Sequence, residues 1–230
     1  MAPEEHPCAK CRFQDKSLWQ PVAGGAVSTL SRSFSRRDMA VGDVLFHQGG
    51  QSAGVYCVSQ GLIAVRSYGP DGRSSLLRLA YPGDLVGYRA FLTERDHRTE
   101  AQALLPTRIC TVAHRDAKKV IQASPAVLAR LAERCADELD QCHDRIEAAA
   151  RLSNRDRLGQ LLDRLMLAHG AEVEGRMRMR LPISRQDMAD MLGVQPETLS
   201  RLLKRLEDED GLRCSGRTVE MPIRAAVAAE

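Results

Sequence analysis

From about Met39 to Ala113 the apolar positions come in short runs divided by turn residues. Asp43–Phe46 precedes His47-Gln48-Gly49-Gly50, Val55–Val58 precedes Ser59-Gln60-Gly61, and Leu62–Val65 leads into Gly69-Pro70-Asp71-Gly72. Leu76–Leu79, Asp84–Val86, Ala101–Leu105 and Arg108–Val112 continue the series. Short strands with regular turn signals predict a double-sheet sandwich or barrel. The period then changes. Between Arg115 and Arg151 no glycine intervenes, and the single proline, Pro125, follows Ser124 as if opening a helix. Leu128, Leu131, Cys135, Leu139, Cys142, Ile146 and Ala149 recur at three- and four-residue spacing, a narrow seam suited to a two-helix coiled coil. Such a seam could also pack on the chain's own β domain; the homodimer is the favoured reading. Asn154–Ala168 reads as another helix, with Leu158, Leu161, Leu162 and Leu165 inward and Gly170 as its stop.

The most specific pattern lies further on. Ser184 and Asp187 have capping-box spacing, Met188, Met191 and Leu192 supply a buried stripe, and Gly193 ends the helix. Pro196 fits the first turn of a second helix, where its missing N–H costs no hydrogen bond. There Leu199, Leu202, Leu203 and Leu206 form the apolar face, and Glu197, Ser200, Arg201 and Lys204 the polar one. Glu197, Ser200 and Arg201 stand at i, i+3, i+4 and converge on one patch. Arginine can bind guanine bidentately, a carboxylate can accept from cytosine, and a hydroxyl can serve base or phosphate. An ordinary solvated helix could carry the same trio. The capped helix before it and the hairpin after it, two strand-like runs around Ser215-Gly216, favour a winged helix-turn-helix on double-stranded DNA.

Composition bounds this picture without deciding it. The chain has 230 residues, 43% hydrophobic and 27% charged, enough for two domains. With 33 basic and 30 acidic side chains the net charge is only +3, so DNA contact must depend on where charges sit. No apolar run approaches the roughly 18 residues of a membrane span, so no membrane partner is expected. Met1–His6 is polar and acidic, unlike a signal peptide, and a cytoplasmic location is expected. There the seven cysteines should be thiols or metal ligands. The expected division is an arm at 1–22, a β-roll sensor domain at 23–115, a dimerisation helix at 116–152 and a winged helix-turn-helix at 153–230.

A β-roll, a long dimer helix and a winged helix-turn-helix, in that order, resemble the Crp/Fnr family of bacterial transcription regulators. The fold class expected is α+β, with an N-terminal double-stranded β-helix of cyclic-nucleotide-binding type. The resemblance is strongest over Gly193–Leu203, which looks like the Fnr-type motif Glu-Thr-x-Ser-Arg-Leu-Leu. It implies that Glu197, Ser200 and Arg201 read bases of a palindromic operator, TTGAT and ATCAA separated by four base pairs. It implies RNA polymerase as a partner. Gly83-Asp84-Leu85-Val86-Gly87 looks like the family's β-roll turn.

The signal is less directly written. Cyclic-nucleotide binders of the family place a ribose-binding Glu after Gly87 and an Arg-Ser pair ten residues later; here Tyr88 and Arg98-Thr99 stand there. The missing carboxylate disfavours cyclic AMP. Cys8-Ala9-Lys10-Cys11 and the segment ending at Cys110 resemble the ligand segments of oxygen-sensing Fnr proteins, which hold a [4Fe–4S] cluster through Cys-x2-Cys-x5-Cys and a central Cys. Thiolates suit such a cluster as soft anionic donors. The third N-terminal position falls on Ser17, so Cys8, Cys11 and Cys110 are the expected ligands and Asp15, Ser17 or His6 could supply the fourth. That gives a regulator sensing oxygen, redox state or NO. Zinc, redox thiols, a small ligand or haem-bound gas remain alternatives, and a cysteine-pair redox enzyme a remote one, since no nucleophile–base pair or phosphate loop accompanies the cysteines. Cys57, Cys135, Cys142 and Cys214 read as structural residues, and His47, His97, His114 and His143 as surface or core.

Overall fold

The computed structural model describes residues 6–22 and 24–223. The acidic start at Met1–Glu5, on which the signal-peptide reading rested, lies outside the described residues, as do the last seven. The chain divides into two compact units, Met1–Gln141 and Cys142–Glu230.

The first unit is built on two four-stranded antiparallel sheets. One runs β1 (Phe34–Met39), β8 (Thr107–Ala113), β3 (Gly54–Gln60), β6 (Leu85–Val86); the other runs β2 (Val44–Phe46), β7 (Glu100–Ala103), β4 (Ile63–Tyr68), β5 (Ser74–Ala80). Period-two alternation splits the first sheet into two faces. Tyr56, Val58, Val86 and Ile109 turn inward against Phe46, Ile63, Val65 and Ala101 of the other sheet. Val55 and Val112 turn outward and are covered by α1 (Ala26–Ser33), α3 (His114–Ala123) and the first turns of α4 (Pro125–Arg151). The amino-terminal arm joins that outer core through Cys8, Leu18, Trp19 and Val22, all buried. A short α2 (Tyr88–Thr93) follows Gly87, whose φ of +78° and whose close approach to the Tyr56 ring leave no room for a Cβ.

Helix α4 begins at Pro125, as the proline signal indicated, and a separate α3 precedes it. Val127 and Leu131 are buried, whereas Leu128, Leu139 and Ile146 of the same seam are 48%, 55% and 68% exposed. In the second unit α5 (Asn154–His169) is capped by Ser153, whose hydroxyl accepts from the Asp156 N–H at 3.2 Å. It buries Leu158, Leu161, Leu162 and Leu165, as its pattern predicted. A four-stranded antiparallel sheet completes the unit in the order β11 (Arg213–Ser215), β12 (Thr218–Pro222), β10 (Arg176–Arg180), β9 (Ala171–Val173). The β11–β12 hairpin is the expected wing; β9 and β10 were not anticipated. Their turn uses Glu174 and Gly175, both at positive φ, and β10 alternates Arg and Met at period two.

Candidate DNA interface and cysteine-lined cavity

The helix-turn-helix is assembled from local rules. Ser184 Oγ accepts from the Asp187 N–H at 3.0 Å, and the Asp187 carboxylate accepts from the Ser184 N–H at 2.9 Å, closing a reciprocal capping box on α6 (Arg185–Leu192). Gly193 leaves the helix at φ +66°, and Pro196 opens α7 (Pro196–Asp210). Leu199, Leu203 and Leu206 are buried, fixing the roll of α7 and turning Glu197, Ser200 and Arg201 to solvent.

The exposed charges of α7 differ in their commitments. Lys204 pairs with Asp208 at 3.0 Å and Arg205 with Glu209 at 2.8 Å, while Arg155 of α5 engages Glu209 and Asp210. Glu197 and Arg201 form no ion pair among the described residues. Ser200 Oγ donates to the Pro196 carbonyl at 3.0 Å, a bond a base or phosphate acceptor could replace. The amino-terminal turns of α7 therefore present uncommitted polar groups, and its later turns present self-neutralised ones.

In the first unit, Cys8, Cys11 and Cys110 line one cavity of about 570 Å³, together with Ser17 and Cys57. Cys11 N–H closes a turn on the Cys8 carbonyl at 2.9 Å, which brings the pair to the sheet surface as one feature. Strand register supplies the rest. Arg36 of β1 and Cys57 of β3 both stand directly opposite Cys110 of β8, so the three form one cross-strand row on the outer face. Arg36 also donates to the Pro7 carbonyl at 3.0 Å, and Arg108 lines the cavity beside it.

The three proposed fourth ligands are placed differently. Asp15 is exposed and stands outside the lining. His6 has both ring nitrogens engaged, Nε2 with the Trp19 carbonyl and Nδ1 accepting from the Cys8 N–H at 3.1 Å. Ser17 is in the cavity, 4% exposed; its Oγ donates to Cys8 Sγ and accepts from the Trp19 N–H, both at 3.2 Å. Cys57 was read from the sequence as a structural strand residue. The signal that brings it here, pairing with Cys110, needs the register of two strands some fifty positions apart.

Burial pushes the Cys8 thiol pKa up; the Ser17 hydroxyl opposes this, Cys11 and Cys110 add to it, and Arg36 works against it. Burial, then the neighbouring Cys110, Cys8 and Cys11, holds Cys57 still more firmly as a thiol. Cys8 and Cys57, whose thiols are both pushed up, share the cavity with Cys11 and Cys110, a set of soft donors that a cationic centre would bind as thiolates. No three His, Cys, Asp or Glu side chains stand in single-ion geometry among the described residues. Four cysteine sulfurs lining one cavity are the donor type that an iron–sulfur cluster takes.

The arm carrying Cys8 and Cys11 is clasped to α4. Arg130 donates to the Asp15 carbonyl and Arg134 to the Lys16 carbonyl, beside the packing of Leu18 and Trp19 on Val127 and Leu131. A second cavity, of about 450 Å³, lies in the β-roll and is lined by Tyr88, Arg98 and Thr99. There the Tyr88 hydroxyl donates to Glu138 of α4, and Arg78 lies 3.4 Å from the same carboxylate. Tyr88, standing where the resemblance leads one to expect a ribose-binding carboxylate, spends its hydroxyl on an internal partner. His97, expected at the surface or in the core, is a core residue stacked on Phe46 with ring centroids 3.8 Å apart.

The chain matches the cyclic nucleotide-binding domain family over residues 36–124 and the Crp-like helix-turn-helix domain family over residues 156–228. The two matches meet the β-roll and the winged element in the order the fold shows. The chain belongs to the Crp/Fnr family. It is 28% identical to the nitrogen fixation regulation protein FixK of Bradyrhizobium diazoefficiens over 89% of its own length and 85% of that protein. It is 26% identical to the transcriptional activator protein FnrL of Cereibacter sphaeroides, over 92% and 86%. The solved structure of FixK2 from Bradyrhizobium japonicum superposes with a TM-score of 0.68 at 25% identity, covering 84% of this chain and 99% of that one. This Crp/Fnr protein is accordingly a DNA-binding transcription regulator and not an enzyme. Among its described residues no helix is long and apolar enough to cross a membrane.

Proposed function

We propose that this regulator works as a cytoplasmic homodimer that reads a palindromic operator and senses oxygen, redox state or NO through a [4Fe–4S] cluster held by Cys8, Cys11 and Cys110. The observation that carries this reading is the meeting of Cys8 and Cys11 with Cys110 in one cavity, a hundred positions away in the chain. When bound, such a cluster supplies Fe–S bonds that oxidants break.

The chain's own residues do the rest. Ser17 holds Cys8 Sγ through a hydrogen bond, and Arg36 and Arg108 offset the negative charge of gathered thiolates. Arg130 and Arg134 tie the arm's position to α4. The exposed Leu128, Leu139 and Ile146 give that helix an apolar seam for the same helix of a second copy. A shift of the arm therefore acts on the dimer helix, and with it on the spacing of two α7 helices that must meet half-sites about one DNA turn apart. Glu197, Ser200 and Arg201 read the bases of TTGAT and ATCAA, and RNA polymerase is the machinery this binding helps or hinders.

The test is protein purified without oxygen and examined by absorption spectroscopy and by operator binding before and after exposure to air. A broad shoulder near about 400 nm, lost in air together with operator affinity, is the expected result. Colourless, iron-free protein that binds its operator equally in both conditions overturns the sensing half of the proposal.

A further inference from the structure

The reading above names three sulfur donors, and a four-iron cluster takes four. We infer that Cys57 supplies the fourth, so that the ligand set of this chain is Cys8, Cys11, Cys57 and Cys110, with Ser17 in a supporting role. The inference rests on the cluster reading and goes beyond it by assigning a strand cysteine that lies outside both ligand segments.

Geometry favours Cys57 on three counts. It stands directly opposite Cys110 on the neighbouring antiparallel strand, so the two Cβ atoms are neighbours about 4.5–5.5 Å apart on one face. That face is the outer one: Val55, two residues before Cys57, and Val112, two after Cys110, both pack in the outer core, whereas Tyr56 and Ile109 point between the sheets. Finally, Cys57 lines the same cavity as the other three sulfurs.

The oxygen and nitrogen candidates are each spoken for. Asp15 faces solvent, and recruiting His6 would break its bonds to the Trp19 carbonyl and the Cys8 N–H. Ser17 Oγ already donates to Cys8 Sγ and accepts from Trp19, the position of a group that orients a ligand rather than one that binds iron. A thiolate is also the softer donor and matches the other three. On ligation each thiol loses its proton to solvent as its Fe–S bond forms, and no electron is transferred.

The experiment is anaerobic reconstitution of the full chain with equal parts of ferrous and ferric iron and with sulfide, followed by iron and sulfide analysis and electron paramagnetic resonance of the dithionite-reduced protein. Wild type should hold about four irons and four sulfides per chain. Cys57→Ala should lose at least fourfold in iron. Cys57→Ser, which only exchanges sulfur for oxygen and keeps the fold testable should the alanine variant fail, should either lose iron likewise or keep it with shifted g-values. Cys135→Ser, at a cysteine outside the cavity, should retain wild-type iron. Cys57→Ser with wild-type iron and an unchanged resonance overturns the assignment while leaving the cluster reading intact. Wild-type protein that takes up no iron overturns both.

Discussion

The recognition helix and the cysteine cavity are opposite solutions to placing a few functional side chains. Glu197, Ser200 and Arg201 lie within one helical turn and a half, and a capping box, a glycine exit and three buried leucines orient them. The cavity draws Cys8 and Cys11 from an arm, Cys57 from one strand and Cys110 from another. Its geometry depends on sheet register and on an arm packed across α3 and α4. The helix should therefore tolerate distant change and fail only locally. The cavity should be sensitive to any residue that fixes the arm or the strands.

The sharpest separation should come from Cys110→Ala. Its iron content should fall at least fourfold and its operator binding should become the same with and without oxygen, while non-specific DNA binding stays at the wild-type level. Residual air sensitivity of operator binding in iron-free protein would place the switch outside the cavity. Next in size is Arg201→Ala, expected to weaken operator binding by about 1–3 kcal/mol and to relax preference at one base pair, with iron content unchanged. Equal losses on operator and random DNA, measured by titration, would make Arg201 a phosphate contact instead. The clasp gives a smaller effect that joins the two regions. Arg130→Ala with Arg134→Ala should leave iron binding near wild type but shrink the difference in operator affinity between anaerobic and oxidised protein. An unchanged difference would mean that the arm does not act through α4. Smallest is Ser184→Ala, which removes one capping bond and should cost about 0.5–2 kcal/mol of thermal stability without altering iron uptake. A change in iron content there would break the independence of the two regions.

The same contrast explains what the chain's pattern disclosed. Seven strands of the β-roll, the start of α4 at Pro125, α5 and the helix-turn-helix were legible because each is announced by local periodicity or a cap. β1 was not: Phe34–Met39 is mostly exposed and charged, an edge strand with little apolar alternation. The β9–β10 hairpin has the period-two signal, Arg176-Met177-Arg178-Met179-Arg180, but its outward arginines disguise it as a charged loop. Cys8, Cys11 and Cys110 could be proposed from spacing and resemblance. Cys57 could not, since a cysteine in an apolar strand looks like any small core residue until its cross-strand neighbour is known.

The clasp on the arm has one further consequence. Arg130 and Arg134 grip main-chain carbonyls at positions 15 and 16 rather than the side chains of Asp15 and Lys16. Every amino acid offers that same oxygen. The lettering of this stretch is thus free to drift, by charge or by size, without loosening the hold, whereas inserting or deleting one residue between Cys11 and Leu18 would shift both handholds at once. Length, not identity, is what the tether enforces.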